Sequence, residues 1–463
     1  MNPAQTILVV GGGIVGVFAA LRARQLRPGA RILIVEQDDA LGGLLRSDPH
    51  ANGLLFDRGT HVLSETGVRD IDALLFDDLD EGEWRRFGGN ERDLAGLLMD
   101  ETILEGSPFL PAPAKLVADR LATPPGKAVA AQPEAFSLHE TLVAQHGTAL
   151  TDAVFRAPLR NLYRHELEEL DRFVAGQLPL SRIVSDDLPT WLSQMGDEGY
   201  RALVACPDQR RLPPQFASTL GAIYPRRMGI GQLFDKLSCQ LGEAGVETRL
   251  STRITGLAIS HGLVSQVGLE AAGSTETIDG RVDVIWAVPP FQLNPFLGGV
   301  APALTFKPGW RTIIVDFSAS LIHALYCYYY IDYGDNEGFR LTNYAALSEQ
   351  AAAQPASPFT LELWWRGGDL TEAEAHMIVA RRFLQLGLIA AADAIRDVRL
   401  RRATQGVLLA TTANMAALCQ LAETVRDTAP RNLINIGLLS QPRLFFTSDM
   451  LRNAERRISE SFC

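Results

Sequence analysis

Thr6 to Val10 is a continuous apolar run rich in β-branched residues, the pattern of a parallel strand buried on both faces. A helix follows from about Ile14 to Gln25 and stops at Pro28-Gly29. Arg31 to Val35 is a second apolar strand. Further along, Trp84 to Pro113 reads as short strands with turns, and Leu116 to Pro133 as an Ala- and Pro-rich helix or connector. Ser137 with Glu140 forms a capping box ahead of an apolar-periodic helix. A second helix places Leu150, Val154, Phe155 and Leu159 on one side, with Pro158 expected to kink or end it. Asp187 to Pro214 is loop-rich.

Gly245 to Leu257 gives a helix end, a strand, a turn and another strand, and Leu263 to Leu269 is a pairing partner for a hairpin. Asp283 to Pro290 is a buried strand ending in prolines. Strands are also expected at Thr312–Phe317, Ala324–Ile331, Phe339–Tyr344 and Phe359–Trp364. Thr371 and Glu374 make a capping box for a helix to Leu388. Asn432 to Gly437 is a last strand and glycine, and Leu444 to Cys463 a short final helix.

The glycines between the first strand and helix carry the first chemistry. Gly11, Gly13 and Gly16 form GxGxxG: the first allows a tight turn, the second lets the backbone approach a pyrophosphate, and the third lets helix and strand pack closely. The helix N-terminus presents free N–H groups to phosphates. Glu36 closes the second strand about twenty residues on, where a carboxylate accepts ribose hydroxyls and repels a 2′-phosphate. On these residues alone the ligand is a dinucleotide of unspecified kind.

Composition narrows the partners. With 463 residues the chain exceeds one ordinary domain. A net charge of −11 argues against nucleic acid, which needs a basic surface. The five cysteines, Cys206, Cys239, Cys327, Cys419 and Cys463, are far apart and show no metal-ligand spacing. They read as reduced thiols of a cytoplasmic protein. No signal peptide is visible, and no apolar run approaches the roughly 20 residues of a spanning helix. The richest, Ser318 to Tyr333, reads as a buried strand region. A small molecule is the expected partner, and the oligomeric state is left open.

Several further strings carry a resemblance. Leu41 to Ser47 reads LGGLLRS, and Phe56 to His61 reads FDRGTH. Ser137 to Asp171 holds Gly147, Phe155, Pro158 and Leu162-Tyr163, Tyr224 to Leu237 reads YPRRMGIGQLFDKL, and Phe339 to Tyr344 reads FRLTNY. Together with the glycine motif, these resemble the FAD-dependent protoporphyrinogen oxidase-like and UDP-galactopyranose mutase-like flavoproteins of the amine oxidase superfamily. Two departures are visible. Arg226-Arg227-Met228 is a residue longer than the common form, and Leu438-Leu439 stand where an arginine is frequent. FAD binding is expected to persist with altered contacts.

The resemblance implies an α/β fold: a Rossmann-type FAD-binding domain assembled from discontinuous segments (1–85, 221–290 and 427–463), a mixed β-sheet substrate domain (86–125 and 291–426) and a helical lobe (126–220). It implies FAD contacts at Gly11, Gly13, Ile14, Val15, Gly16, Glu36, Gln37, Gly42, Gly43, Leu44, Arg46, Gly59, Thr60 and His61. Ile254 through its backbone, Gly437 and Met450 complete the set. His61 is either a neighbour of the flavin ring with a catalytic part or a structural hydrogen-bond donor. Arg340 is either an anchor for an anionic substrate or a sheet-surface arginine. The series Arg156, Arg160 and Arg164 faces either solvent or an anionic substrate. The implied activity is hydride transfer from a small molecule to flavin N5. The alternatives are a redox-neutral mutase or epimerase acting on a sugar or nucleotide sugar, and a non-catalytic FAD-binding protein.

Overall fold

The computed structural model describes residues 5–91, 94–123, 137–300, 304, 311–334, 338–406 and 409–462, the side chains of 402–406 excepted. Five short strands make a parallel sheet in the order Glu247–Arg249, β2 (Arg31–Val35), β1 (Thr6–Val10), Val282–Trp286 and Leu433–Asn435. β1 is central, with Thr6 opposite both Arg31 and Val282 and Val10 opposite both Val35 and Trp286. Its position follows from composition, because only a strand apolar on both faces is stable between two layers. Those strands come from three distant stretches of chain, so the Rossmann unit is discontinuous.

Helix α1 (Ile14–Leu26) covers one face, and its small residues Ala19, Ala20 and Ala23 are fully buried. The last helix, Thr447–Phe462, packs on it with Leu451, Ala454 and Ile458 in the same core. This helix is sixteen residues long, not short as its sequence suggests. The opposite face is closed by an antiparallel three-stranded sheet, Thr252–Ser260, Leu263–Ala271 and Ser274–Asp279, whose Val264, Val267 and Leu269 pack against the parallel strands.

A seven-stranded mixed sheet forms the second body. Its order is Ile395–Gly406, Arg311–Ala319, Ser357–Trp365, Gly338–Asn343, Tyr329–Asp332, Ala95–Met99 and Thr102–Leu104. Helix Glu372–Gln385 packs on one face through Val379 and Phe383 against Phe317 and Phe359. Side chains alternate across a strand, so Thr360, Glu362 and Trp364 lie on the other face. There a helical lobe buries Leu159, Tyr163, Leu167 and Trp191 with Leu97, Ile331 and Tyr333.

Several expectations need correction. Of the anticipated strand Ala324–Ile331 only the last three residues are extended in a sheet, as part of the strand Tyr329–Asp332. The preceding residues run irregularly because Leu325 and Cys327 give their carbonyls to the buried Asn343 side chain rather than to a neighbouring strand. Pro158 does not end its helix: residues continue helical to Tyr163, and the irregularity falls one turn earlier, as a π-turn at Thr151–Phe155. Widening that turn relieves the clash of the proline ring with the carbonyl four residues back. Both capping boxes form, at Ser137/Glu140 and Thr371/Glu374. Part of the Leu116–Pro133 stretch, Arg92 and Cys463 lie outside the described residues. Among the described residues no helix is long and apolar enough to cross a membrane, and no three His, Cys, Asp or Glu side chains cluster to hold a metal.

Candidate functional site

The three motif glycines meet three different demands. Gly11 takes φ +101°, closed to most side chains, and a Cβ there would lie 2.6 Å from Val288. A Cβ on Gly16 would lie 1.9 Å from the Gly11 carbonyl oxygen, so α1 touches the turn only because residue 16 has no side chain. Gly13 differs: a Cβ there would meet nothing within 4 Å. It is the N-cap of α1, which has no side-chain cap and no acidic residue in its first turn. The N-cap residue therefore offers the first N–H groups of the helix no side-chain acceptor, which leaves them to a ligand such as a phosphate. Ile14, Val15 and Gly16 are buried in that first turn.

Glu36 is 8 % exposed. Its Oε2 accepts the Gly12 N–H (2.6 Å) and its Oε1 the Asp38 N–H (2.9 Å). Each oxygen keeps a lone pair for a ribose hydroxyl. Gln37 beside it is exposed. The chain then turns back: the Gly42 N–H donates to the Gly12 carbonyl (2.9 Å), and a Cβ on Gly43 would stand 3.6 Å from the Gly13 Cα. The paired glycines thus fold over the loop, with φ of +122° and +54°. Leu44 projects from this turn with 72 % exposure. The Arg46 guanidinium is engaged with Asp39 (2.9 Å) and Asp38 (3.7 Å). Residues 249–252 run alongside Glu36 and Asp38 through three backbone hydrogen bonds. They lead to Ile254, half-buried and paired with Leu269. Glycine turn, unfilled helix N-terminus and strand-end carboxylate together fit a dinucleotide.

The chain next forms a hairpin, Ser47–Pro49 with Leu55–Asp57. Asp57 is 1 % exposed and binds two segments together. It accepts the Ser47 hydroxyl (2.6 Å), the Tyr224 hydroxyl (2.6 Å) and the Ile230 N–H (2.7 Å), while the Gly231 N–H donates to Ser47 (2.8 Å). Burial outweighs these donors and pushes the Asp57 carboxyl up to about 7. The sequence strings FDRGTH and YPRRMGIGQL are therefore one structural unit held by Asp57. The sequence flagged both strings without giving Asp57 a role.

Beyond Asp57 the chain turns at Gly59 (φ +125°) and meets the seven-stranded sheet. The Thr60 N–H donates to Glu362 Oε1 (3.0 Å), and the Thr60 and Thr342 hydroxyls are in contact. Arg340 donates to the same carboxylate with Nε (3.1 Å) and Nη2 (3.0 Å). Burial opposes ionisation of Glu362, yet the Arg340 charge and these donors win and hold its carboxyl below the usual range. His61 Nε2 lies 3.3 Å from the Arg58 carbonyl oxygen. Burial pushes the His61 ring down to about 4, with Arg340 adding to the effect and Glu362 opposing it. At neutral pH His61 is uncharged.

His61 and Arg340, 279 positions apart in sequence by their numbering (340 − 61), are thus brought to one wall. Arg340 has an internal partner rather than a bare guanidinium, because Glu362 neutralises it. Glu362 was not singled out from sequence: a carboxylate in an apolar strand, FTLELW, was the available signal. Arg156 pairs with Asp152 (2.9 Å) and Glu168 (3.0 Å), and Arg160 with Glu166 (3.6 Å), so these two members of the arginine series serve surface ion pairs. Gly437 lies where a Cβ would be 2.2 Å from the Val288 carbonyl oxygen; the close packing there accounts for the glycine. Met450 sits in the first turns of the last helix, half-buried against the core of α1.

Residues 9–77 match the family model described as an NAD(P)-binding Rossmann-like domain. No curated protein matches the sequence. Among solved structures, a protein provisionally named protoporphyrinogen oxidase from Exiguobacterium sp. 255-15 is 16% identical with a TM-score of 0.65, covering 98% of each chain. Reduced UDP-galactopyranose mutase is 14% identical with a TM-score of 0.70, over 99% of this chain and 95% of its own. Cyclohexylamine oxidase from Brevibacterium oxydans IH-35A is 14% identical with a TM-score of 0.57, over 99% of both. At these identities the likeness is one of fold: the chain has the architecture shared by these proteins over its whole described length.

Proposed function

We propose that the chain is an FAD-dependent oxidoreductase acting on a small molecule. The observation that carries this reading is a continuous path along one segment. It runs from Gly13 and Glu36, past Gly42-Gly43, through the Asp57-tied hairpin to Thr60-His61 against Arg340–Glu362. A dinucleotide whose pyrophosphate sits on α1 would point its second half down that path. When bound, the flavin supplies the hydride acceptor, and the protein supplies position and electrostatics. Gly13 and the α1 N-terminus bind the phosphates, Glu36 the ribose, and Asp57 holds the hairpin and the 229–231 loop in register. His61, neutral at pH 7, serves as a hydrogen-bonding group rather than a cationic one. Arg340 and Glu362 together present a polar but charge-balanced edge.

The absorbance spectrum of purified protein, before and after reconstitution with FAD, tests the reading. Flavin bands in stoichiometric amount are expected, and their absence after reconstitution overturns it. A redox-neutral flavoenzyme acting on a sugar or nucleotide sugar is the second reading, favoured by the fold match to the mutase. Anaerobic titration separates the two: a substrate of the oxidoreductase bleaches oxidised flavin, whereas a substrate of the redox-neutral enzyme turns over only after the flavin has been chemically reduced.

A further inference from the structure

The wall beside Arg340 holds a buried hydrogen-bond donor with no acceptor among the described residues. Tyr333 is 2 % exposed, and its hydroxyl has no hydrogen-bond partner among the described residues. Tyr163, 3 % exposed, packs edge-on against Trp364 at 5.3 Å. Trp364 stacks on Phe339 at 4.4 Å, and the Arg340 guanidinium lies 4.9 Å from the Phe339 ring. Tyr163 is close enough to Arg340, and Tyr333 to Tyr163, for each pair to interact electrostatically. Arg340 uses Nε and Nη2 on Glu362, leaving Nη1 outside that pair.

A buried donor left unpaired is costly, so the arrangement favours a ligand that brings the acceptor. The charges decide which acceptor. Glu362 already accepts from Thr60 and Arg340, so no free carboxylate remains in this cluster for an ammonium group. Arg340 is balanced by Glu362 and His61 is neutral, so the cluster offers hydrogen-bond donors for a neutral or singly charged oxygen rather than the concentrated positive charge that a multiply charged diphosphate needs.

We propose that Tyr163, Tyr333 and Arg340 form a subsite for the carbonyl or carboxylate oxygen of a planar, largely apolar substrate whose conjugated part lies along Trp364 and Phe339. The placement of this subsite before the cofactor rests on the flavin reading above; the donor set itself does not.

Four probes test this by calorimetry on the FAD-reconstituted protein, with the flavin spectrum recorded in parallel: cinnamate, cinnamamide, cinnamylamine and inorganic pyrophosphate. Cinnamate or cinnamamide is expected to bind and to shift the flavin bands, the two reporting carboxylate and neutral carbonyl respectively. Tyr163→Phe and Tyr333→Phe should each weaken that binding about tenfold, the equivalent of one hydrogen bond. Tyr333→Phe should melt no lower than wild type without ligand, because it removes an unpaired hydroxyl. Absence of binding by both acid and amide, preference for the amine or pyrophosphate, or unchanged affinity in both variants overturns the subsite. So does a Tyr333→Phe protein that melts well below wild type. Calorimetric binding to a protein without flavin bands, or without a shift in them, leaves the subsite standing and removes the flavin placement instead.

Discussion

Gly13 and Gly16 are the same residue type three positions apart, yet the space around them assigns opposite roles. At Gly13 the backbone has φ −71° and ψ 174°, which alanine adopts freely, and a methyl group would enter empty space. Gly13→Ala is therefore expected to fold and melt like wild type in the cofactor-free state but to hold FAD at least about tenfold more weakly, since the methyl stands where the backbone must meet phosphate. At Gly16 a methyl would meet the Gly11 carbonyl at 1.9 Å, so the helix has to lift from the turn. Gly16→Ala should lose on the order of 1–3 kcal/mol of stability before any ligand is added. Melting temperature and flavin content, measured on both variants, check the contrast; equal losses in both properties for the two would refute it. The glycine pattern was legible in the sequence, and Glu36 with it. The partners of His61 and Arg340 were not, because Glu362 lies 301 positions beyond His61 by their numbering (362 − 61) and reaches it only through sheet pairing of Arg340 with Glu362.

Between elements, Asp57 is the joint of the candidate site, linking hairpin 47–57 to the turn at 229–231. Its carboxyl sits at about 7 against an ordinary 3.8, so between about pH 4 and 7 the folded chain keeps a proton that the unfolded chain releases. Its contribution to stability is full below about pH 4 and is lost as pH rises through 7, by on the order of 4 kcal/mol at the limit. His61 runs the other way. Its folded value of about 4 lies below its ordinary 6.5, so its contribution is lost as pH falls from about 6.5 toward 4. The two oppose one another over the same window. Asp57→Asn removes only the first, so its melting temperature relative to wild type should improve as pH rises from 4 to 7. Parallel melting curves for the two proteins across that range would show that Asp57 does not titrate there. At this scale the sequence found most strands and both capping boxes. It missed the irregular run before Tyr329, where apolar side chains are buried without sheet pairing. Of the two readings for Pro158, a kink or an end, the end is excluded, and a π-turn at Thr151–Phe155 precedes it.

For the whole molecule, the parallel sheet draws its strands from near residues 6, 31, 247, 282 and 433. A dinucleotide resting on it, as proposed, would touch segments far apart in the chain. Such a ligand would bind the folded form alone and so stabilise it by mass action, by about 2.7 kcal/mol at a hundredfold excess over Kd. Stripping the cofactor should therefore lower the melting temperature of the protein, and FAD should restore it while NAD does not. Equal restoration by NAD would move the site from flavin to nicotinamide chemistry. The low identities to proteins of the same fold, 14% and 16%, fit a scaffold set by burial pattern rather than by particular residues.

What the sequence determined by itself is local: a buried strand, a glycine turn, a helix start without a cap and a carboxylate at the next strand end. Each is decided by neighbours within about thirty residues, and hydrophobic period and glycine spacing report them directly. The tertiary structure alone decided the charge state of the candidate site. Burial holds His61 neutral and Asp57 near 7, Glu362 balances Arg340, and the Tyr333 hydroxyl is left without an acceptor among the described residues. Those properties depend on which distant groups exclude water from one another. Desolvation and Coulomb energy are set by distance in space, which residue order along the chain does not encode.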